Sequence, residues 1–208
     1  MNNIKLVIID CDGVLYHPSE LDVNAMSDHA LDAACNALSI SNNIEAFIEA
    51  SKQPNFFNYI DNLAKKNNIT ADDFISKMVE HIDYSGLKPD NTGVLQKIQG
   101  LSNKYKFCIC TNNHLIHVNK ILNAKFDISA KQLPFEVFDT TYAKKDGKYY
   151  SKQSDVFISK LEKHFDIDVG NFLWIDDNPE VITTVKSIGS NGALVTDDCR
   201  LIDILNTL

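Results

Sequence analysis

The residues best placed to do chemistry stand where apolar runs stop. Leu6-Val-Ile-Ile9 ends on Asp10-Cys-Asp12-Gly13, Tyr105 to Cys110 ends on Thr111-Asn112-Asn113, and Phe172-Leu-Trp-Ile175 ends on Asp176-Asp177. Carboxylates two positions apart share one side if strand geometry continues through them. They repel unless a cation or a proton lies between them. Asp10 and Asp12 therefore suggest a hard-metal site or an acid/base pair, with a plain polar turn as the other reading. Asp10, Asp12, Asp176 and Asp177 with the Thr111 hydroxyl form an oxygen-rich set. Such a set suits Mg²⁺, which takes few protein carboxylates and fills its shell with water and phosphate. A lysine from the loop before residues 153–164 would neutralise charge at the same edge.

These groups meet only if the apolar runs are neighbouring strands. β-branched runs bounded by turn residues read as buried strands of a parallel sheet. In such sheets the carboxyl ends of the strands share one edge, where ligands bind. Further strands are expected at 135–138 and 192–195, and helices at 90–102, 114–123, 153–164 and 179–188, with a short helical tail. Lys144 to Tyr150 carries an Asp-Gly turn suited to a hairpin. Between the first two strands the texture is helical, with apolar spacing over Leu21–Leu38, Ile44–Ala50, Phe56–Ala64 and Phe74–Ile82. Thr70-Ala-Asp-Asp73 reads as a capping box opening the last of these. The expected fold is α/β: a Rossmann-like, doubly wound parallel sheet with an inserted all-helical block. Residues 1–16 and 89–208 would form the core and 17–88 the insertion.

Composition narrows the function. The chain has 208 residues, 44% hydrophobic and 23% charged, with a formal net charge of -8. No basic run is present, which argues against nucleic-acid binding through a positive face. No stretch nears the ~20 apolar residues needed to span a bilayer, and the first apolar run is too short and acid-ended for a signal peptide. A cytoplasmic protein is expected. The five cysteines, odd in number and without a CxxC, fit reduced thiols. Cys108 and Cys110 read as small buried residues. Cys11 reads as a packing residue, with a catalytic thiol as the alternative.

The polar strand ends, taken in order, resemble the motifs of the haloacid dehalogenase-like superfamily of Mg²⁺-dependent phosphatases. Asp10 to Tyr16 matches its first motif, Asp-x-Asp-Gly-Val-Leu-Tyr. Thr111 resembles the second, Lys152 the third, and Asp176-Asp177 the fourth. Gln153 stands where the family usually has proline. The helical block sits where the family inserts its C1-type cap. Leu15-Tyr16, Leu87-Lys-Pro-Asp90, the Thr-Asn-Asn stretch and Asp139-Thr-Thr-Tyr142 look most like the pyrimidine 5′-nucleotidase-like branch. The resemblance implies Asp10 as nucleophile and Asp12 as general acid and base. It implies Thr111, the Asn112 amide and Lys152 as phosphate ligands. Mg²⁺ would be held by Asp10, the Asp12 carbonyl and Asp177, with Asp176 direct or through water. The substrate would be a small phosphomonoester, a nucleoside monophosphate or sugar phosphate, and the protein a monomer or homodimer.

Each residue also has a structural reading. Thr111, Asn112 or Asn113 could cap the following helix. Lys152 could be solvated, and Asp176 or Asp177 could be an acid drawn to a helix N-terminus. His114 and His117 read as solvent-facing helix residues. Trp174, Phe56, Phe57 and Tyr59 read as core. Other functions on the same pattern are a dehalogenase, a phosphomutase or a receiver-like regulatory protein. Asp12 speaks against the dehalogenase. Length, the insertion and motif order speak against the receiver.

Overall fold

The computed structural model describes residues 3–21, 23–40 and 56–208. Among these, strands β1 (Leu6–Ile9), β2 (Lys106–Cys110), β3 (Glu136–Phe138), β4 (Phe172–Asp176) and β5 (Asn191–Leu194) form one sheet. Its order is β3-β2-β1-β4-β5, and every pairing is parallel. The first strand is thus the central one. Helices α1 (Val23–Ala37), α2 (Phe56–Lys66) and α3 (Ala71–Glu80) lie between β1 and β2. Helices α4 (Val94–Leu101), α5 (Leu115–Phe126), α6 (Asp155–Phe165), α7 (Pro179–Ser187) and α8 (Leu201–Asn206) alternate with the later strands. The helix expected at Ile44–Ala50 lies outside the described residues.

The period-2 alternation of the strands sorts their side chains onto two faces. Val7, Ile9, Phe107, Ile109, Leu173 and Ile175 pack in one buried cluster with Ile98 of α4, Val118 and Ile121 of α5 and Leu205 of α8. Leu6, Ile8, Cys108, Cys110, Phe172 and Trp174 pack in the other, with Phe157 and Leu161 of α6 and Val181 and Val185 of α7. Covering helices on both faces explain why the strands read as unbroken apolar runs. Trp174, Cys11, Cys108 and Cys110 are all buried, in line with their reading as core.

The helices between β1 and β2 have a core of their own, with Leu31, Cys35, Phe57, Ile60, Phe74 and Met78. Thr70 caps α3 as its sequence suggested: its Oγ1 accepts from the Asp73 N–H at 3.0 Å. Tyr149, from the turn after β3, reaches into this second core, and its backbone exchanges two hydrogen bonds with the Asn58 side chain. That turn is less than a full hairpin, with a single bridge between Lys145 and Lys148. The outgoing and returning linkers are fastened together by Glu20. Its carboxylate accepts from the Lys88 N–H at 2.8 Å and from Lys125 Nζ of α5 at 3.0 Å. No helix among the described residues is long and apolar enough to cross a membrane.

Candidate active site

Because β1 lies between β2 and β4, the winding reverses beside it and a crevice opens beyond the strand ends. Ile9 pairs with Ile175 on one side and with Ile109 on the other. One step further, Asp10 stands level with Asp176, and its N–H donates to the Ile175 carbonyl at 2.9 Å. Asp10, Asp176 and Asp177 each bring a carboxylate oxygen within 4.8 Å of the others. Lys152 closes the group, with Nζ 2.6 Å from Asp10 Oδ1 and 2.7 Å from Asp176 Oδ2. Its side chain is only 4% exposed, so it is no solvated lysine. Its backbone N–H donates to Asn112 Oδ1 at 2.8 Å, which ties the lysine loop to the end of β2. The Asn112 amide also reaches Gln153, the residue standing in place of proline.

Three carboxylates crowd together here, and the one ammonium among them pairs with Asp10 and Asp176. Burial pushes the Asp10 carboxyl well above its ordinary range; Lys152 opposes this, while Asp176 and Asp12 reinforce it. Burial and then Asp176 raise Asp177 in the same direction. Burial would lower Lys152, but Asp10 and Asp176 overcome it and hold the ammonium charged. Excess negative charge on hard oxygen donors is the chemistry of a divalent-cation site, and the donor set fits Mg²⁺. Asp176 is the most committed of the three acids, since its Oδ1 also accepts from the Asn178 N–H at 3.0 Å.

Gly13 makes room for the group. Its φ is +69°, and a Cβ placed there would lie 2.0 Å from Asp177 Oδ2. Gly13→Ala therefore forces Asp177 aside and strains the backbone, at a cost of roughly 1–2 kcal/mol. Thermal unfolding should show a midpoint lower by several degrees and a smaller upward shift on adding Mg²⁺. An unchanged Mg²⁺ shift would separate Asp177 from metal binding.

Asp12 departs from the simplest reading of the sequence. Strand geometry stops at Ile9, and the chain turns, with the Leu15 N–H bonded to the Cys11 carbonyl at 3.0 Å. Asp10 and Asp12 therefore do not share one side, and the Asp12 carboxylate is not part of the acid cluster. Instead Oδ1 accepts from the Tyr16 hydroxyl at 2.7 Å and lies 2.9 Å from His117 Nε2. Oδ2 accepts from Asn113 Nδ2 at 2.5 Å. Burial alone would raise Asp12, but the His117, Tyr16 and Asn113 contacts overcome it and bring the carboxyl down to about 2. Cys11 between the acids is fully buried, and burial pushes its thiol up, away from a reactive thiolate. The single arginine of the chain, Arg200, holds this turn from the far end, donating through Nη2 to the carbonyls of Gly13 and Tyr16 at 2.9 and 2.8 Å.

The two histidines are not solvent-facing. His117 is 3% exposed and touches Asp12, while its Nδ1 lies 2.7 Å from the Tyr84 hydroxyl. His114 is 8% exposed; it is the N-cap of α5 and reaches Asp72 of α3 at 3.1 Å. The cap is thus His114, not Thr111, Asn112 or Asn113. Thr111 is 1% exposed at the end of β2, and its Oγ1 accepts from the Asn113 N–H at 3.0 Å. Tyr16, Tyr84, Asn113 and His117 were not singled out as site residues by sequence reasoning. Their meeting depends on contacts across up to 105 positions, for which a single sequence carries no signal.

Comparison with known proteins gives one pattern. A family model described as haloacid dehalogenase-like hydrolase matches residues 4–189. No curated protein matches the chain by sequence. Among solved structures, CbbY from Rhodobacter sphaeroides, in complex with phosphate, superposes with a TM-score of 0.60 at 15% identity, over 92% of this chain and 86% of that one. A HAD-family enzyme from Bacteroides thetaiotaomicron, in complex with magnesium and inorganic phosphate, gives 0.56 at 17% identity, over 93% and 95%. β-Phosphoglucomutase from Clostridium difficile gives 0.56 at 18% identity, over 93% and 85%. At these identities the likeness is one of fold.

Proposed function

The chain belongs to the haloacid dehalogenase-like hydrolase family, and from that premise we propose that it is an Mg²⁺-dependent phosphatase acting on a small phosphomonoester through an aspartyl-phosphate. The observation that carries this reading is the unequal treatment of two acids two residues apart. Asp10 sits in the acid cluster against Lys152, while Asp12 is drawn out of the cluster by Tyr16, His117 and Asn113. A phosphatase needs that division, one carboxylate to attack phosphorus and another to move a proton.

In this reading Asp12, ionised in the free chain, takes up a proton from solvent as the phosphoester binds; an Asp10 oxygen attacks phosphorus, the ester P–O bond breaks, and Asp12 passes that proton to the departing alkoxide. Asp12 then takes a proton from water, whose oxygen attacks the acyl-phosphate and releases phosphate and free Asp10. Thr111 and the Asn112 amide bind phosphoryl oxygens, and Lys152 balances their charge. Asp10, Asp177 and the Asp12 carbonyl would hold Mg²⁺, with Asp176 direct or through water. The ion would draw charge from the phosphoryl oxygens during transfer. Residues 17–88 act as a C1-type helical cap over a core of 1–16 and 89–208. A nucleoside monophosphate of the pyrimidine 5′-nucleotidase-like branch, or a sugar phosphate, is the substrate class.

The test is phosphate release from a panel of nucleoside monophosphates and sugar phosphates, with Mg²⁺ and with chelator. Chelator should abolish turnover. No release from any phosphoester would sink the proposal, and metal-independent turnover of a haloacid would favour a dehalogenase. A pyrimidine nucleotide no better than a simple sugar phosphate would remove the branch assignment.

A further inference from the structure

We propose that His117 is the positioning residue for Asp12, and that Tyr84 makes that position depend on the linker returning from the helical insertion. The inference rests on the phosphatase reading, but its basis is a separate set of contacts. Tyr84 lies between α3 and α4, in the returning linker, and is partly buried against the core. Its hydroxyl is 2.7 Å from His117 Nδ1 and has no other partner among the hydrogen bonds of the described residues. Both Asp12 oxygens face donors, Tyr16 at Oδ1 and Asn113 at Oδ2, so His117 meets Oδ1 with a protonated Nε2, 2.9 Å away. In the neutral ring Nδ1 is then the acceptor, and the Tyr84 hydroxyl donates to it. The imidazole is buried on α5, and the Tyr84 ring lies against it with centroids 5.7 Å apart. An unbroken line therefore runs from the Tyr84 hydroxyl through His117 to Asp12.

Asp12 lies beyond the end of β1, in the turn that runs on through Gly13, so no strand pairing aims it. A carboxylate freed there has the acid cluster and its cation as a competing attraction. His117 supplies a fixed donor on the opposite side. Tyr16 and Asn113 share the task, but only His117 connects Asp12 to a segment beyond the sheet edge and its loops. Where the linker sits thus decides where the imidazole sits, and the imidazole decides where the acid sits.

The test uses leaving groups. kcat/KM reports phosphoryl transfer to Asp10, a step in which an alkyl ester needs a proton from Asp12 and a p-nitrophenyl ester does not. His117→Ala should lower kcat/KM for the best alkyl phosphate roughly 10- to 100-fold while p-nitrophenyl phosphate changes by less than about threefold, a selective share of the general-acid effect. Asp12→Asn should show the same selectivity more strongly. His117→Gln, whose amide can donate to Asp12 and accept from Tyr84, should recover part of the alkyl rate. Tyr84→Phe should show the same selective loss on a smaller scale. Without metal or substrate, the imidazole N–H should give a downfield proton resonance that vanishes in His117→Gln and moves in Asp12→Asn. Equal loss on both esters, no loss, or a gain on the alkyl ester would overturn the positioning role. An unchanged alkyl-to-aryl ratio in Tyr84→Phe would overturn the dependence on the linker. If the wild-type chain turns over neither ester, the phosphatase reading fails and takes this inference with it. An active wild-type chain with an unselective His117→Ala variant defeats this inference alone.

Discussion

Asp10→Asn will release phosphate at least about a thousandfold more slowly than the wild-type chain, as expected when a nucleophile is replaced by an isostere with no anionic oxygen. The same variant will be more stable than the wild type in chelator. Asp10 is buried with Asp176, the two share the Lys152 ammonium, and Asp177 brings a third carboxylate beside them. Its carboxyl is pushed up by burial, despite Lys152. An acid raised in the folded state contributes its full stability below the unfolded value of ~3.9 and loses it as pH rises through the folded value. At neutral pH without metal, Asp10 therefore weakens the fold relative to acid pH, and the neutral amide removes that cost. Thermal unfolding in chelator should show the two proteins melting together below about pH 4. The variant should pull ahead as pH rises. Added Mg²⁺ should then raise the wild type more than the variant. A variant less stable than the wild type in chelator at pH 7 would mean that the Lys152 pair outweighs the crowding of charge.

Lys152→Met should have the largest effect on stability. The lysine is almost wholly buried and makes both close ion pairs of the cluster. Methionine keeps the length and apolar stem but leaves the acids with no counter-charge. Breaking a buried pair by removing one partner costs about 3–5 kcal/mol, because the remaining charge stays buried. In a chain of this length that corresponds to a midpoint lower by roughly 10 °C. Adding Asp176→Asn to Lys152→Met should return part of the loss, since the second change removes one stranded charge. A midpoint within about 1 °C of wild type would show that the cluster sheds its charge by taking up protons. Phosphate release should fall as well, because the same ammonium balances the developing charge in transfer.

The strand ends were legible because their signal is one-dimensional. A buried strand is a contiguous apolar run, and an acid at its end is visible without knowing the neighbours. A parallel sheet with its strand ends on one edge then followed from chain alternation, and Asp10, Asp176 and Lys152 meet at that edge; the order that puts β1 between β2 and β4 did not follow from it. The immediate surroundings of Asp12 were not legible. Whether strand geometry continued through Asp12 stayed open in the sequence, since the turn from Cys11 to Leu15 is set by tertiary contacts with Asp177 and Arg200 as much as by Gly13. His114 and His117 looked solvent-facing because a helix alone does not say what covers it. Here Asp72 of α3 covers one and Tyr84 the other. The α2–Tyr149 contact was missed for the same reason: Asn58 and Tyr149 are 91 positions apart.

Arg200 adds a matter of timing. The turn that carries Asp12 is clamped by a guanidinium 187 positions later in the chain. During synthesis at about 5–20 residues per second, that clamp trails the turn by roughly ten to forty seconds. β1 must also wait for β4, its neighbour on the Asp176 side. A nascent chain therefore carries Asp10 and Asp12 long before it can hold them in working order. The ribosome delivers the acids far ahead of their restraint, so an arrested or truncated product lacking Arg200 presents the motif without the site.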